Sequence, residues 1–233
     1  MAVLIKSDNE IQKMRVAGKL TSDVLKMIEK MILPGTVTDD IDRVAEDFIR
    51  HNGGIPTFLN YREFPKSVCI SINEEVIHGI PGARKLKSGD IVSVDIGAMV
   101  NGFHGDAART FICGEGDEKA KKLVEITEKC FFEGIKYAKN GCHLYQISQA
   151  VQYCAESNGF SVVKDYVGHG IGRMMHEDPA IPNYKPPGRG LKLQTGMTLA
   201  IEPMVNAGTY EIEVKRDKWT VVTKDGRDRK SVV

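Results

Sequence analysis

The stretch GDIVSVDIGAMVNGFHGD, residues 89–106, decides the architecture. Asn101-Gly102 is the strongest short signal for a two-residue type I′ hairpin turn, whose central positions both need a positive φ. The flanking runs, 91–96 and 103–112, then read as antiparallel strands pairing Val100 with Phe103 and Asp95 with Ala108. In that register Asp106 is the diagonal neighbour of Asp95 on the same face, about 7–8 Å away between backbones. Ile91, Val92, Val94 and Ile96 are apolar on both parities, which predicts a strand buried on both sides. Two carboxylates so close in an apolar interior repel and raise one pKa unless a cation neutralises them. Asp95 and Asp106 are therefore candidate metal ligands, the other reading being two solvated acids on an open face.

Working outward, Ser7-Asp8-Asn9-Glu10 is a capping box that opens a helix with Ile11, Met14, Ala17, Val24, Leu25 and Ile28 on its apolar face. Pro34-Gly35 is expected to stop it. A second helix starts at Thr38, with Ile41, Val44, Ala45, Phe48 and Ile49 inward, and ends at Gly53-Gly54. Residues 117–139 repeat the long helix up to Asn140-Gly141, and residues 144–157 repeat the short one up to Asn158-Gly159. Further strand-like runs lie at 67–72, 160–163 and 197–201. Gly35 to Gly141 and Gly53 to Gly159 are each 106 residues, and Asp95 to Glu202 is 107. This spacing points to a duplication with halves at about 1–113 and 114–226, with coincidence of two αα-β units as the alternative. No long linker separates the halves, so residues 1–226 are read as one domain.

With 233 residues, 42% apolar and 27% charged, the chain has the composition of a globular protein with a substantial core. A net charge of +1 argues against nucleic acid as a main ligand. No apolar run approaches a membrane span, and the N-terminus is not a signal peptide. The five cysteines lack C-x-x-C spacing and read as reduced thiols, so a cytoplasmic location is expected.

Two more candidate ligands complete the pattern. His169 stands in Gly-His-Gly-Ile-Gly, where the glycines are expected to leave room for a ligand or substrate. Glu202 ends the apolar run 197–201, where an unpaired charge would be costly. Three carboxylates and one imidazole suit two hard or borderline divalent cations.

At this point the motifs resemble a family, the bacterial type I methionine aminopeptidases, over nearly the whole chain up to about Gly226. The matching segments are Tyr61-x-x-Phe64-Pro-Lys-Ser-Val-Cys69-Ile-Ser-Ile-Asn73, Val76-Ile-His78-Gly-Ile-Pro81, residues 89–106, Tyr166-Val-Gly-His169-Gly-Ile-Gly-Arg-x-x-His176-Glu-Asp-Pro179, and Thr198-Leu-Ala-Ile-Glu202-Pro-Met-Val-Asn-Ala-Gly208. The resemblance implies the α/β pita-bread fold, two pseudo-twofold halves around a dinuclear centre of Co, Mn, Fe or Zn. The short interval from His169 to Glu202 resembles type I more than type II, and no prolidase-like N-terminal domain is expected.

By that similarity, Asp95 chelates one metal, Asp106 bridges both, and His169 and Glu202 bind the other. Glu202 also shuttles a proton from the attacking water to the leaving amine. His176 hydrogen-bonds the substrate and steadies the tetrahedral intermediate, and His78 reaches the neighbouring amide. Tyr61, Phe64, Cys69 and Trp219 match positions lining the methionine pocket. His51, His104 and His143 receive no catalytic role. The implied activity is removal of the N-terminal methionine from nascent polypeptides, met transiently at the ribosome by a monomer, with preference for a small second residue.

The pattern breaks after Gly226. The family continues to a further glutamate that bridges both metals, and Val233 stands at its ungapped position, with Asp228, Glu211 and Glu213 poorly placed to substitute. Residues 227–233 are read as a non-native tail, because GATCGGAAGAGCGTCGTGTAG, a sequencing-adapter string, encodes Asp-Arg-Lys-Ser-Val-Val and a stop. For this polypeptide the expectation is a weakened second metal site, an exposed strand edge and impaired activity. A catalytically inactive peptide- or partner-binding protein on the same fold is the alternative, and a prolidase-like specificity a weaker third.

Overall fold

In the computed structural model, the structure describes residues 3–227 and the backbone of residues 229–231. The elements run α1 (Asp8–Glu29), α2 (Thr38–His51), β1 (Ile55–Pro56), β2 (Val68–Ile72), β3 (Glu75–Ile77), β4 (Ile91–Val100) and β5 (Phe103–Ile112). The second half follows with α3 (Glu118–Ile135), α4 (Leu144–Ser157), β6 (Ser161–Val162), β7 (Gly168–Gly170), β8 (Glu177–Ile181), β9 (Leu199–Ala200) and β10 (Met204–Asn206). β11 (Ile212–Val214), β12 (Val221–Thr223) and β13 (Arg229–Ser231) complete the order.

The β4–β5 hairpin turns at Asn101 and Gly102, with φ of 53° and 75°. Its register pairs Val100 with Phe103 and Asp95 with Ala108, and sets Asp106 opposite Gly97. β4 lies centrally, with β5 on one side and β2 and β1 on the other. Residues 91–98 of β4 are buried apart from the half-buried Asp95. Leu20, Val24 and Ile28 of α1 and Ile41 and Ile49 of α2 form one core with Val92, Val94 and Ile96. In the second half Leu123 and Ile126 of α3 pack with Val151 and Cys154 of α4, Val162 of β6 and Val205 of β10.

Ser7 and Glu10 form the capping box of α1 as read. The helix ends at Glu29, several residues before Pro34-Gly35, and α3 ends at Ile135, before Asn140-Gly141. The glycines instead anchor the chain beyond each helix: the Gly35 amide donates to Leu86 O at 2.8 Å, and the Gly141 amide to Leu193 O at 2.9 Å. Both glycines have left-handed φ, +92° and +88°. The bridges Val37–Lys85 and His143–Lys192 follow the same spacing. Met197–Ile201 is shorter as a strand than read, with only Leu199 and Ala200 in β9. Strands β7, β8 and β10 to β13 carry no clear alternation and were not anticipated; β13 lies alongside β10, pairing Met204 with Ser231. Val233 lies outside the described residues. Among the described residues no helix is long and apolar enough to cross a membrane.

Candidate metal centre and active site

The centre of the molecule gathers side chains from both halves. Asp95 comes from β4, Asp106 from β5, His169 from β7, and Glu202 from the link between β9 and β10. Asp106, His169 and Glu202 each offer a ligand atom within 4.8 Å of the others. His169 Nε2 lies 3.1 Å from Glu202 Oε1 and 3.5 Å from Asp106 Oδ2. Asp95 falls outside that tight trio but lines the same cavity, beside Asp106.

The glycines around His169 act differently from the expectation. A Cβ at Gly168 would lie 2.3 Å from Ala200 O, and one at Gly170 would lie 2.1 Å from Asp178 O. They admit the neighbouring strands β9 and β8, not a ligand, and so clamp His169 between two backbones. His169 Nδ1 lies 2.8 Å from Gly170 O, so its N–H donates there and Nε2 turns toward the carboxylates.

The electrostatics ask for a cation. Burial, then the charges of Asp106 and Glu202, push the Asp95 carboxyl well above its ordinary range, against a smaller pull from His169. Burial also raises Glu202, while its hydrogen bond with His169 opposes. For His169 burial opposes protonation, yet the hydrogen bonds to Asp106 and Glu202 prevail and lift it to about 10. Oδ1 of Asp95 and Oδ1 of Asp106 are buried without a hydrogen-bond partner. A buried carboxylate oxygen with no donor is costly, and a divalent cation satisfies it. Three carboxylates and an imidazole thus fit divalent metal ions, with a donor set that suits Mn²⁺, Fe²⁺, Co²⁺ or Zn²⁺.

The candidate ligands line a cavity of about 290 Å³ together with Phe58, Tyr61, Phe64, Cys69, Met175 and Trp219, with His78 and His176 also on its wall. Phe64 meets Trp219 edge to face at 5.1 Å between centroids. Cys69 stands opposite Asp95 across β2 and β4, and burial first, then that aspartate, holds its thiol protonated. His78, at φ 58°, is wedged edge-on against Tyr166 and Trp219, and burial lowers its pKa to about 4. His176 is exposed at the mouth, stacks on Tyr61 at 5.4 Å, and its Nδ1 lies 2.8 Å from the Tyr61 hydroxyl. Every residue given a metal, catalytic or pocket role from the sequence lines this one cavity. Phe58 and Met175 were missed: nothing local marks Phe58, although Met175 directly precedes His176. His104 instead hydrogen-bonds Thr57, and His143 approaches Gly190 O. Glu211 and Glu213 are exposed and do not line the cavity.

The chain belongs to metallopeptidase family M24, whose model matches residues 12–225. Within that family its likeness is to bacterial methionine aminopeptidases. It is 56% identical to the methionine aminopeptidase of Clostridium acetobutylicum over 225 residues, covering 96% of this chain and 90% of that protein. The crystal structure of methionine aminopeptidase from Thermotoga maritima superposes with a TM-score of 0.97 at 45% identity, over 99% of this chain and 93% of that one. The enzyme from Rickettsia prowazekii gives the same TM-score at 40% identity, over 99% and 94%. The fold is accordingly the pita-bread α/β fold of these enzymes.

Proposed function

We propose that this metallopeptidase removes the N-terminal methionine from nascent polypeptides, favouring a small second residue. The observation that carries the reading is the joining of four convergent metal ligands to a narrow cavity walled by Phe58, Phe64, Cys69, Met175 and Trp219. An unbranched thioether suits such a wall, because sulfur packs favourably against aromatic rings.

Asp95, Asp106, His169 and Glu202 would hold two divalent ions, which when bound supply Lewis acidity toward water and the scissile carbonyl. Glu202, kept basic enough by burial, takes a proton from the attacking water and returns it to the leaving amine. His176, with Nδ1 engaged by Tyr61, keeps Nε2 for the substrate carbonyl as charge develops on it. His78 meets the adjacent amide as a neutral imidazole. Asp95, Asp106, His169 and Glu202 are the ligands we assign to the two ions. We further infer that residues 1–226 form one catalytic domain of two duplicated halves, acting as a cytoplasmic monomer that meets its substrates near the ribosome.

The test is methionine release from Met-Ala-Ser and Met-Leu-Ser peptides while Mn²⁺ or Co²⁺ is titrated in. Metal-dependent release from the alanine peptide, at least tenfold faster than from the leucine peptide, is expected. Binding of both peptides without release, by folded and metal-loaded protein, would sink the reading in favour of a peptide-binding protein.

A further inference from the structure

Outside the centre just described, one ionic pair is more deeply buried than any other among the described residues. Lys6 Nζ donates to Glu177 Oε2, and the two side chains are 5% and 1% exposed. Glu177 directly follows His176 and opens β8, so the pair sits at the root of the turn 172–176 that carries the histidine. Both carboxylate oxygens are engaged, since the Met174 amide donates to Glu177 Oε1 at 3.2 Å. Lys6 is fixed at both ends as well: its amide donates to Gly196 O at 2.8 Å, and Nζ also reaches Leu4 O at 3.3 Å.

Two glycines from separate segments make the space for this strap. A Cβ at Gly172 would lie 2.5 Å from Lys6 Cε and 2.7 Å from Glu177 Oε1. A Cβ at Gly196 would lie 2.7 Å from Lys6 O and from Ile5 Cγ2. A second tie joins the same turn to α1: Arg173 reaches Glu10 at 3.2 Å and lies 4.5 Å over the Phe103 ring. Among the described residues, the exposed His176 ring is held by a hydrogen bond and stacking with Tyr61 and by its contact with His169 at 4.2 Å. Its position therefore depends on the turn beneath it.

We infer that Lys6 is a positioning residue for His176: through Glu177 it fixes the turn 172–176, so that the imidazole meets Tyr61 and faces the substrate. The inference rests on the aminopeptidase reading of His176, and its test separates the two. Removing one member of a buried ion pair strands the other charge and endangers folding, whereas replacing both with apolar residues keeps the fold. The informative protein is therefore the full chain carrying K6M together with E177M, beside K6R. Histidine side-chain NMR, with the His176 signals assigned by H176Q, reads the hydrogen bond to Tyr61 directly; methionine release from Met-Ala-Ser reads its consequence.

The double variant should melt near the unmodified chain. Its His176 signals should move to those of a freely rotating imidazole, and kcat should fall at least tenfold with KM changed less than threefold. K6R should keep both readouts. Unmoved His176 signals in the double variant would overturn the inference, whether or not kcat falls, as would moved signals with unchanged kcat. If the unmodified chain releases no methionine at all, the aminopeptidase reading fails, while the NMR comparison still decides the positioning claim.

Discussion

The hydroxyl of Tyr61 and Nδ1 of His176 lie 2.8 Å apart, joining the two halves of the molecule across 115 residues of sequence. The bond orders an exposed histidine on the wall of the cavity that the candidate metal ligands also line. It fixes which ring nitrogen remains for a substrate, something neither residue determines alone.

Tyr61→Phe should leave the fold intact, since a half-exposed hydrogen bond contributes only about 1 kcal/mol. The freed imidazole should lower kcat/KM for Met-Ala-Ser roughly tenfold, equivalent to about 1.4 kcal/mol of transition-state stabilisation. Steady-state kinetics together with a melting curve check both halves of the expectation. A fall in melting temperature that accounts for the whole loss would count against an ordering role.

The carboxylate cluster should make the metal-free protein less stable than it need be. Asp95 and Asp106 repel across one face of the hairpin, and each has a buried oxygen without a donor. In chelator-treated protein Asp95→Asn should therefore raise stability, by roughly 1–2 kcal/mol. Added Mn²⁺ should stabilise the unmodified chain, because it binds only the folded state, and should stabilise the variant far less. Scanning fluorimetry with and without Mn²⁺ measures all four states. Equal metal responses would remove Asp95 from the ligand set.

His78 should contribute a loss of stability in acid over a defined window. Its pKa falls from an ordinary 6.5 to about 4 on folding, because burial disfavours the imidazolium. Above pH 6.5 neither state is protonated there and the contribution is flat. Between 6.5 and about 4 the unfolded chain binds a proton that the folded one refuses. Stability is then lost as the pH drops, by up to about 1.4 kcal/mol per unit. Urea titrations of metal-free protein should give a slope in this window that His78→Gln reduces by up to one proton. An unchanged slope would show that His78 is accessible to protons in the folded state.

Gly105→Ala should be disruptive although it adds one methyl group. A Cβ there would lie 2.6 Å from the carbonyl carbon of Ala17 and from the amide nitrogen of Gly18, both backbone atoms of α1. Helix and hairpin must separate to admit it, at a cost of about 1–3 kcal/mol, and Asp106 next door would shift with them. Denaturant unfolding should report the loss, and reduced Mn²⁺ stabilisation the displaced ligand. The outcome that contradicts this is a variant as stable as its parent.

Much of this is legible in the sequence. Asn101-Gly102 dictated both the turn and its register, because a type I′ turn leaves one pairing and so sets Asp95 and Asp106 on one face. The capping box at Ser7 and the full span of α4 were readable from local chemistry. The ends of α1 and α3 were not, since each helix stops well before its Gly signal, which instead anchors the following turn to Leu86 or Leu193. The two glycines beside His169 were misread for a related reason: a sequence records that space is needed but not what occupies it.

The hairpin and the helices were thus set by local sequence. Each follows from short-range rules of turn chemistry, capping and residue type. Only the tertiary structure decided that Phe58 and Met175 share a wall with Trp219, that Tyr61 orders His176, and that Lys6 reaches Glu177. Those relationships join segments up to 171 residues apart, where no local preference acts and the packing of the two halves alone sets the distance.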